Sequence, residues 1–375
     1  MYGIIKQIVE RCHQKTKRKR GFLFMKHFLD ITDFSRDGLR EMLNVMNYIK
    51  ENRNAYSRDL ERNVIINAFF KPDRDTKAAF SSAIVKMGGT PVDFEYNPNE
   101  TLRDSVANMS AYGDAIVLSH NKKGAARAAS LYATVPVINA GDGGRAYPVK
   151  TLSDFSSVWV EKKHVSNMKI GFLGDFTNNV LVKNLLQCLN LYKGNEFYFI
   201  SVNGKPLSED YINIMDRREK DFAVYDNLFD ILPELDVLYM TEVKKESFDS
   251  EIMYEARKHN FILDERMLLA AKPDLIILHQ FPRGEELDMF VDADSRAKYF
   301  AGFNRYVDSC IAILSKLTKS RMGRSLQQDI EESTHEEYCG KEECITSEEK
   351  YLPRLFYETA DGRLFCKYCG QELVK

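Results

Sequence analysis

Phe69-Phe-Lys-Pro-Asp-Arg-Asp-Thr-Lys-Ala-Ala-Phe80 stands between two segments of different character. Before it, Val64 to Phe70 is an apolar run with the length of a buried strand. After it, Ala78 to Met87 has helix-forming composition with apolar residues at helical spacing. A loop in that position opens a helix, where free backbone N–H groups and the helix dipole favour an anion such as phosphate. Two carboxylates, Asp73 and Asp75, nevertheless occupy it. At about 4 Å, like charges repel by roughly 4 kcal/mol at an effective dielectric near 20, so the loop is charged against the dianion that its position invites.

Outward from this loop, strands and helices alternate. Leu39, Met42, Leu43, Met46 and Ile49 mark an amphipathic helix with Asp33 or Ser35 available as its cap. On the other side come a short strand at Val92 and Phe94, a helix reaching Tyr112, and Asp114 to Leu118, an apolar strand of the kind buried on both faces of a parallel sheet. A further helix leads to the strand Val135-Pro-Val-Ile-Asn139, and a long helix starts at Thr151. The alternation then repeats through strands at Lys169 to Asp175, Phe197 to Val202, Asp236 to Met240 and Leu275 to Leu278. A final helix, Lys298 to Leu317, is expected to return to the first half. The fold class expected is α/β, with two doubly wound parallel-sheet domains.

A chain of 375 residues with 44% hydrophobic residues has room for two or three cored domains. Its formal net charge of -2 gives no global electrostatic case for nucleic acid or for an anionic membrane. No apolar run approaches the roughly 20 residues of a membrane span, and the N-terminus has no secretory h-region, so the cytoplasm is the expected location. The basic run Lys15, Lys17, Arg18, Lys19 and Arg20 falls in an N-terminal extension, residues 1–24.

Four of the seven cysteines lie in the last 37 residues, as Cys339-x4-Cys344 and Cys366-x2-Cys369. Two close pairs of thiolates can close a tetrahedral structural zinc site. Zinc then supplies the folding free energy that a unit of about 40 residues lacks. Leu355, Tyr357 and Leu364, among polar residues, predict a small antiparallel β zinc-ribbon-like domain over 338–375, joined by an acidic linker at 318–337. Residues 339–375 carry no basic surplus, which argues against nucleic acid as a partner.

The opening loop resembles the carbamoyl-phosphate loop of the aspartate and ornithine carbamoyltransferases, whose pattern is Phe-x-x-x-Ser-x-Arg-Thr-Arg followed by a helix. Val135-Pro-Val-Ile-Asn-Ala-Gly-Asp-Gly143, Thr151-Leu-x-Asp154 and Val291-Asp-x-x-x-x-Ala-x-Tyr-Phe300 resemble the aspartate branch, and Met25-Lys-His-Phe-Leu resembles the usual start of the family. The resemblance covers about 25 to 317. It implies a carbamoyl-phosphate-type domain over 25–155, completed by the helix at 298–317, and an aspartate-type domain over 156–297. Cys366-Lys-Tyr-Cys369 and the cysteine spacing resemble the zinc domain of the aspartate carbamoyltransferase regulatory chain, which in that family docks onto the catalytic chain.

Laid on the family pattern, the serine position is Asp73, the first arginine is Asp75, the threonine is kept as Thr76, and the second arginine is Lys77. The segment whose lysine reaches a neighbouring subunit's phosphate is Pro98-Asn-Glu-Thr101, without the lysine. The arginine ending the next strand is Ser119, and His-Pro-Thr-Gln is Tyr147-Pro-Val-Lys150. In the second domain an arginine position falls at Asn178 or Asn179, another becomes Glu242, and a glutamine becomes Lys244; His279-Gln-Phe-Pro-Arg283 stays nearest to the family.

The resemblance thus implies an aspartate-carbamoyltransferase-like chain with a degenerate active site. It is expected to be a non-catalytic structural or regulatory subunit that assembles as a trimer or with a catalytic carbamoyltransferase chain. The alternative is an active transferase, either the aspartate carbamoyltransferase of pyrimidine biosynthesis or an enzyme whose pocket is rewired around Arg74, Lys77, Lys150 and Lys244.

Overall fold

A computed structural model describes residues 26–216, 222–320, 338–359 and 362–373. The N-terminal extension and nearly all of the linker expected from the sequence lie outside the described residues. Strand β1 (Val64–Phe69) is interior to the first sheet. It pairs in parallel with β2 (Thr90–Asp93) on one side and β3 (Ala115–His120) on the other, and β3 pairs in parallel with β4 (Val137–Asp142). The order is β2-β1-β3-β4. β3 and β4 are buried along their whole length, as interior strands between two helical layers must be, and their carboxyl ends carry buried polar residues, Ser119 and His120 on β3 and Asp142 on β4.

The helices of this half are α1 (Arg36–Glu51), α2 (Arg74–Lys86), α3 (Leu102–Tyr112), α4 (Ala125–Tyr132) and α5 (Pro148–Lys162). α1 buries Leu39, Met42, Leu43, Met46 and Ile49, and the Ser35 hydroxyl accepts the Gly38 N–H at its start. α2 begins at Arg74, four residues before the helix expected at Ala78. The Asp73 carboxylate accepts the Thr76 N–H at 3.0 Å, and Asp75 lies in the first turn, where the dipole favours negative charge. The charged residues that read as a loop are the start of the helix.

The second sheet contains β5 (Lys169–Gly174), β6 (Glu196–Ser201), β7 (Phe222–Tyr225), β8 (Val237–Thr241) and β9 (Ile276–Gln280), all parallel, in the order β7-β6-β5-β8-β9. Sequence reading did not find β7; it is a short edge strand with Phe222 and Val224 exposed, so it lacks the apolar continuity of a buried strand. Helices α6 (Val180–Leu189), α7 (Glu209–Asp216), α8 (Glu251–Arg257) and α9 (Glu265–Ala270) belong to this half. The 22-residue α10 (Tyr299–Ser320) then packs against α1, α2 and α5 of the first half. The antiparallel pair β10 (Phe356–Glu358) and β11 (Leu364–Cys366) forms the small C-terminal sheet.

The C-terminal unit does not float free. Ile345, Leu352, Leu355, Phe356, Leu364 and Tyr368 share one buried cluster with Leu102, Val106 and Met109 of α3 and with the alanines of α4. Leu352, Leu355 and Phe356 are 4%, 8% and 6% exposed, so apolar surface that would otherwise face water closes against the first half of the same chain.

The two halves meet through α5. The Tyr239 hydroxyl on β8 donates to Asp154 Oδ2 on α5 at 2.6 Å, in a part-buried contact. Burial raises the Asp154 pKa to about 6, against the Tyr239 hydrogen bond and the Lys150 charge, which favour ionisation. A carboxyl that holds its proton more tightly when folded stabilises the fold below about pH 4, and that contribution is lost as pH rises through about 6. Asp154→Asn keeps an acceptor and removes the titration. The stability of the variant relative to the unmodified chain should therefore improve by about 2 to 3 kcal/mol between pH 4 and pH 8, read by urea unfolding at each pH. A pH-independent difference would contradict the assignment.

Candidate functional site

The carboxyl ends of the two sheets face each other across a cavity of about 740 Å³. Each sheet reverses its winding there, between β1 and β3 in one and between β5 and β8 in the other, the place where doubly wound sheets open a crevice. The first half contributes Asp73, Gly144, Tyr147 and Lys150. The second half contributes Asp175 and Thr177 to Leu181 after β5, Lys205 after β6, Thr241 at the end of β8 with Glu242, Lys244, Glu246 and Ser247 beyond it, and Gln280 at the end of β9 with Phe281 and Pro282 beyond it.

Of the residues singled out from the sequence, Asp73, Tyr147, Lys150, Glu242 and Lys244 line this cavity, with Asn178 and Asn179. The others do not. Thr76 is buried with its hydroxyl 2.6 Å from that of Tyr306 on α10. The Ser119 hydroxyl donates to the Lys71 carbonyl at 2.8 Å. Asp75 is bound by Arg74 at 3.0 Å, and Lys77 pairs with Asp93 at 2.8 Å.

The expected pocket of Arg74, Lys77, Lys150 and Lys244 is therefore corrected. α2 turns Thr76, Ala79, Phe80 and Ala83 inward, which leaves the Arg74 side chain 91% exposed and Lys77 at the surface. Lys150 and Lys244 remain, and Lys205 joins them from a loop after β6 that carries no recognisable signal. Four carboxylates, Asp73, Asp175, Glu242 and Glu246, face these three ammonium groups, and among the described residues no arginine lines the cavity.

Several of these charges are already engaged. Lys205 reaches the Ser247 carbonyl at 3.2 Å and Asp249 at 3.4 Å, and Lys244 lies 3.5 Å from Glu242. Burial opposes ionisation of Asp175, but hydrogen bonds from Thr177, Ser247 and Asn203 outweigh it and hold the carboxyl below its ordinary value. The loop after β9 is fixed from behind. His279 Nε2 lies 2.7 Å from Glu286 Oε1, both fully buried, and Glu286 also accepts the Val243 and Gly284 N–H groups. Arg283 forms a two-pronged pair with Asp292 at 2.6 and 2.8 Å. Its guanidinium is spent within the fold.

The four C-terminal cysteines come together in a second centre. Their sulfurs lie within 4.8 Å of one another, with Cys339 and Cys369 at 3.7 Å and Cys344 and Cys366 at 3.9 Å. Tetrahedral Zn–S bonds of about 2.3 Å place sulfurs about 3.8 Å apart, so the donor set and its spacing fit a structural zinc. Hydrogen bonds with Cys339, Cys366 and Cys369 drive the Cys344 thiol far below its usual range, and those with Cys339, Cys344 and Cys369 drive Cys366 above. Thiols packed this closely share their protons until a cation replaces them.

This centre is braced against the first half by polar contacts that sequence reading missed. Lys123 donates its N–H to the Glu343 carbonyl at 2.8 Å, and Ile345 returns an N–H to the Lys123 carbonyl at 3.0 Å. Arg145 Nη1 donates to the Tyr368 carbonyl at 2.6 Å and its other arm lies 3.5 Å from Asp30. Burial disfavours the Arg145 charge, and Asp30, Asp142 and Cys369 outweigh it. Glu349 accepts the Leu102 N–H at 2.8 Å and the Tyr351 hydroxyl accepts the Arg103 N–H at 2.9 Å, so the C-terminal unit caps α3.

Profiles of the aspartate/ornithine carbamoyltransferases match nearly all of the two-sheet body: the carbamoyl-P binding domain at residues 26–159 and the Asp/Orn binding domain at 166–316. The aspartate carbamoyltransferase catalytic subunit of Clostridium novyi is 34% identical over 300 residues, spanning 78% of this chain and 97% of that protein. The Clostridium acetobutylicum catalytic subunit is 35% identical over 301 residues, with the same coverage. Among solved structures, the catalytic subunit of M. jannaschii aspartate transcarbamoylase superposes with a TM-score of 0.76 at 31% identity, covering 80% of this chain and all of that one. Aspartate transcarbamoylase from Trypanosoma cruzi in complex with N-(phosphonacetyl)-L-aspartic acid gives 0.71 at 25% identity, covering 78% and 95%.

Gly124 tests the docking of the C-terminal unit. It opens α4 at φ +85°, and a Cβ there would lie 2.5 Å from the Tyr368 carbonyl carbon and oxygen. Gly124→Ala adds about 1–2 kcal/mol of left-handed backbone strain to that clash. Limited proteolysis should release residues 338–375 sooner from this variant, whereas Gly302→Ala, with nothing within 4 Å, should cut at the unmodified rate. Equal release from both variants would disprove the contact.

Proposed function

Because this chain belongs to the aspartate/ornithine carbamoyltransferase family, we propose that it uses the family's fold as an assembling, non-catalytic subunit whose cleft no longer binds carbamoyl phosphate with aspartate. The observation that carries this reading is Asp73. Its carboxylate takes the donor at the start of α2, where the family resemblance puts a phosphate-binding serine, and brings a negative charge to the same place. No arginine among the described residues lines the cavity, which supports it further, since anionic substrates call for fixed guanidinium forks. Each charged hydrogen bond lost contributes roughly 1.5–3 kcal/mol, and losses at Asp73, Asp75, Ser119 and Glu242 together would remove most of the transition-state stabilisation. In this reading the chain forms trimers with itself or joins a catalytic carbamoyltransferase chain, and the zinc centre holds the C-terminal unit against the first half.

A second reading, an active transferase, has its own support. The relatives matched over 97% of their length are named as catalytic subunits, and taken alone the comparisons favour it. In that reading Lys150, Lys205 and Lys244 supply the cationic side of a working cleft, for aspartate or for another acceptor.

Assay and titration separate the two. The first reading expects no carbamoyl transfer to aspartate and no binding heat with N-(phosphonacetyl)-L-aspartate; turnover of about 1 per second, ordinary for an enzyme, would overturn it. Light scattering should find an oligomer, and a strict monomer that also fails to join a catalytic chain would remove the assembling role. Elemental analysis of anaerobically purified protein should give one zinc per chain. Cys366→Ser should lose it and open residues 338–375 to protease, whereas a metal-free chain that keeps its resistance would show that the unit folds without zinc.

A further inference from the structure

A second cavity, of about 530 Å³, opens at the seam between the two halves. Ile31, Phe34 and Leu39 wall it from the first half, and Cys188, Leu191 and Ile214 from the second. Its three polar lining residues have partners within the fold: the Thr32 hydroxyl donates to Asp30 at 2.8 Å, Gln187 accepts from Asn184 at 3.3 Å, and Asn190 donates to the Ile214 carbonyl at 2.6 Å. Among the described residues no charged side chain lines it. A cavity of this kind offers little to an ion or a strongly polar molecule, whereas apolar side chains seated in it would leave water. Its volume lies in the range that holds a drug-sized ligand, so it admits several aliphatic side chains.

We infer that this cavity is the seat of the chain's own N-terminal extension, entered by Ile4, Ile5, Ile8 and Val9, which recur at helical spacing in the sequence. Lys26 is the first described residue, and Ile31 in the cavity wall follows it within at most about 17 Å of extended chain. The chain between them is fixed to β4: Phe28 donates its N–H to the Val137 carbonyl at 2.9 Å and accepts the Asn139 N–H at 2.8 Å. The extension is thus tethered beside the cavity. A flexible linker as long as the stretch from Val9 to Lys26, about 17 residues, spans roughly 20–25 Å on average, which matches the distance to be bridged and gives an effective concentration of about a millimolar. Because both halves wall the cavity, a segment seated there pins one against the other. α6 relates that seat to the cleft: Val180 and Leu181 in its first turn line the cleft, and Gln187 and Cys188 in its last turn line the cavity, within the roughly 15 Å length of one helix. The inference concerns the seam rather than the ligand of the cleft, so it stands apart from the proposed function.

Photo-crosslinking and hydrogen exchange of the full chain test this. With p-benzoylphenylalanine placed at Ile8, irradiation should give adducts within the same chain at residues 31–39 and 187–191, whereas the same group at Gln7, off the apolar face, should give few. Ile5→Asp combined with Ile8→Asp should speed amide exchange at 187–191 by about 10-fold and leave exchange in the C-terminal unit unchanged. If the doubly substituted chain does not fold, the adducts formed from Ile8 decide. Adducts that join two chains would make a second copy the occupant and overturn the inference. Adducts only at other surfaces, no adduct at either wall, or exchange at 187–191 that the two substitutions leave unchanged would each overturn it as well.

Discussion

In a parallel sheet each strand hands the chain to a helix whose first backbone N–H groups have no partner within the helix, and in this protein those helix starts gather at the carboxyl edge of each sheet. How each start is satisfied organises the molecule. At α2 the chain supplies its own carboxylate, Asp73. At α6 the Asn179 side chain accepts the Val182 N–H at 3.2 Å. At α3 the Thr101 hydroxyl takes one donor while Glu349 and Tyr351 of the C-terminal unit take two more. Before α4, Asp142 from the neighbouring strand accepts the Gly124 N–H at 3.2 Å. At α5 the Asn184 side chain, from the second half, accepts the Tyr147 N–H at 3.1 Å, and Lys150 follows in the first turn.

The same constraint accounts for the seat of the four-cysteine unit. It lies over the edge where α3 and α4 begin, and it can lie close because Gly124 presents no side chain to Tyr368. Polar and apolar contacts cooperate there. Glu343, Glu348 and Glu349 are turned toward Lys123, Lys122 and the start of α3, while Leu352, Leu355 and Phe356 fill the space beneath. Arg145 ties the Tyr368 turn to the loop that carries Gly144 and Tyr147 to the cleft, so one part-buried guanidinium joins the metal-type centre to the cavity.

The cleft combines a family scaffold with mixed charge. The loop after β9 is held by His279, Glu286, Arg283 and Asp292 into a rigid wall whose charges are internally satisfied. What remains facing the cavity is a balance of lysines and carboxylates. A mixed lining of this kind rejects ligands with several negative charges more strongly than it rejects a single one.

The sequence by itself determined the alternation of strands and helices, the two parallel sheets and the pairing of the four cysteines. Strand and helix periods are local properties of the chain, and the cysteine spacing confines its thiols to two short turns. It also carried the charges at Asp73, Lys150, Glu242 and Lys244, because a residue at the end of a strand reaches the crevice by topology alone. It could not show that α2 begins at Arg74, because Asp73 reads equally as a loop residue and as a cap until the Thr76 N–H is seen to bind it. Nor could it show that Arg74 and Lys77 face away, that Lys205 and Gln280 face in, or that Arg145 reaches the C-terminal unit. Those facts depend on how the two sheets and the small unit pack on one another. Only tertiary structure decides this, since side chains far apart in the chain meet through the burial of surfaces that no local period records.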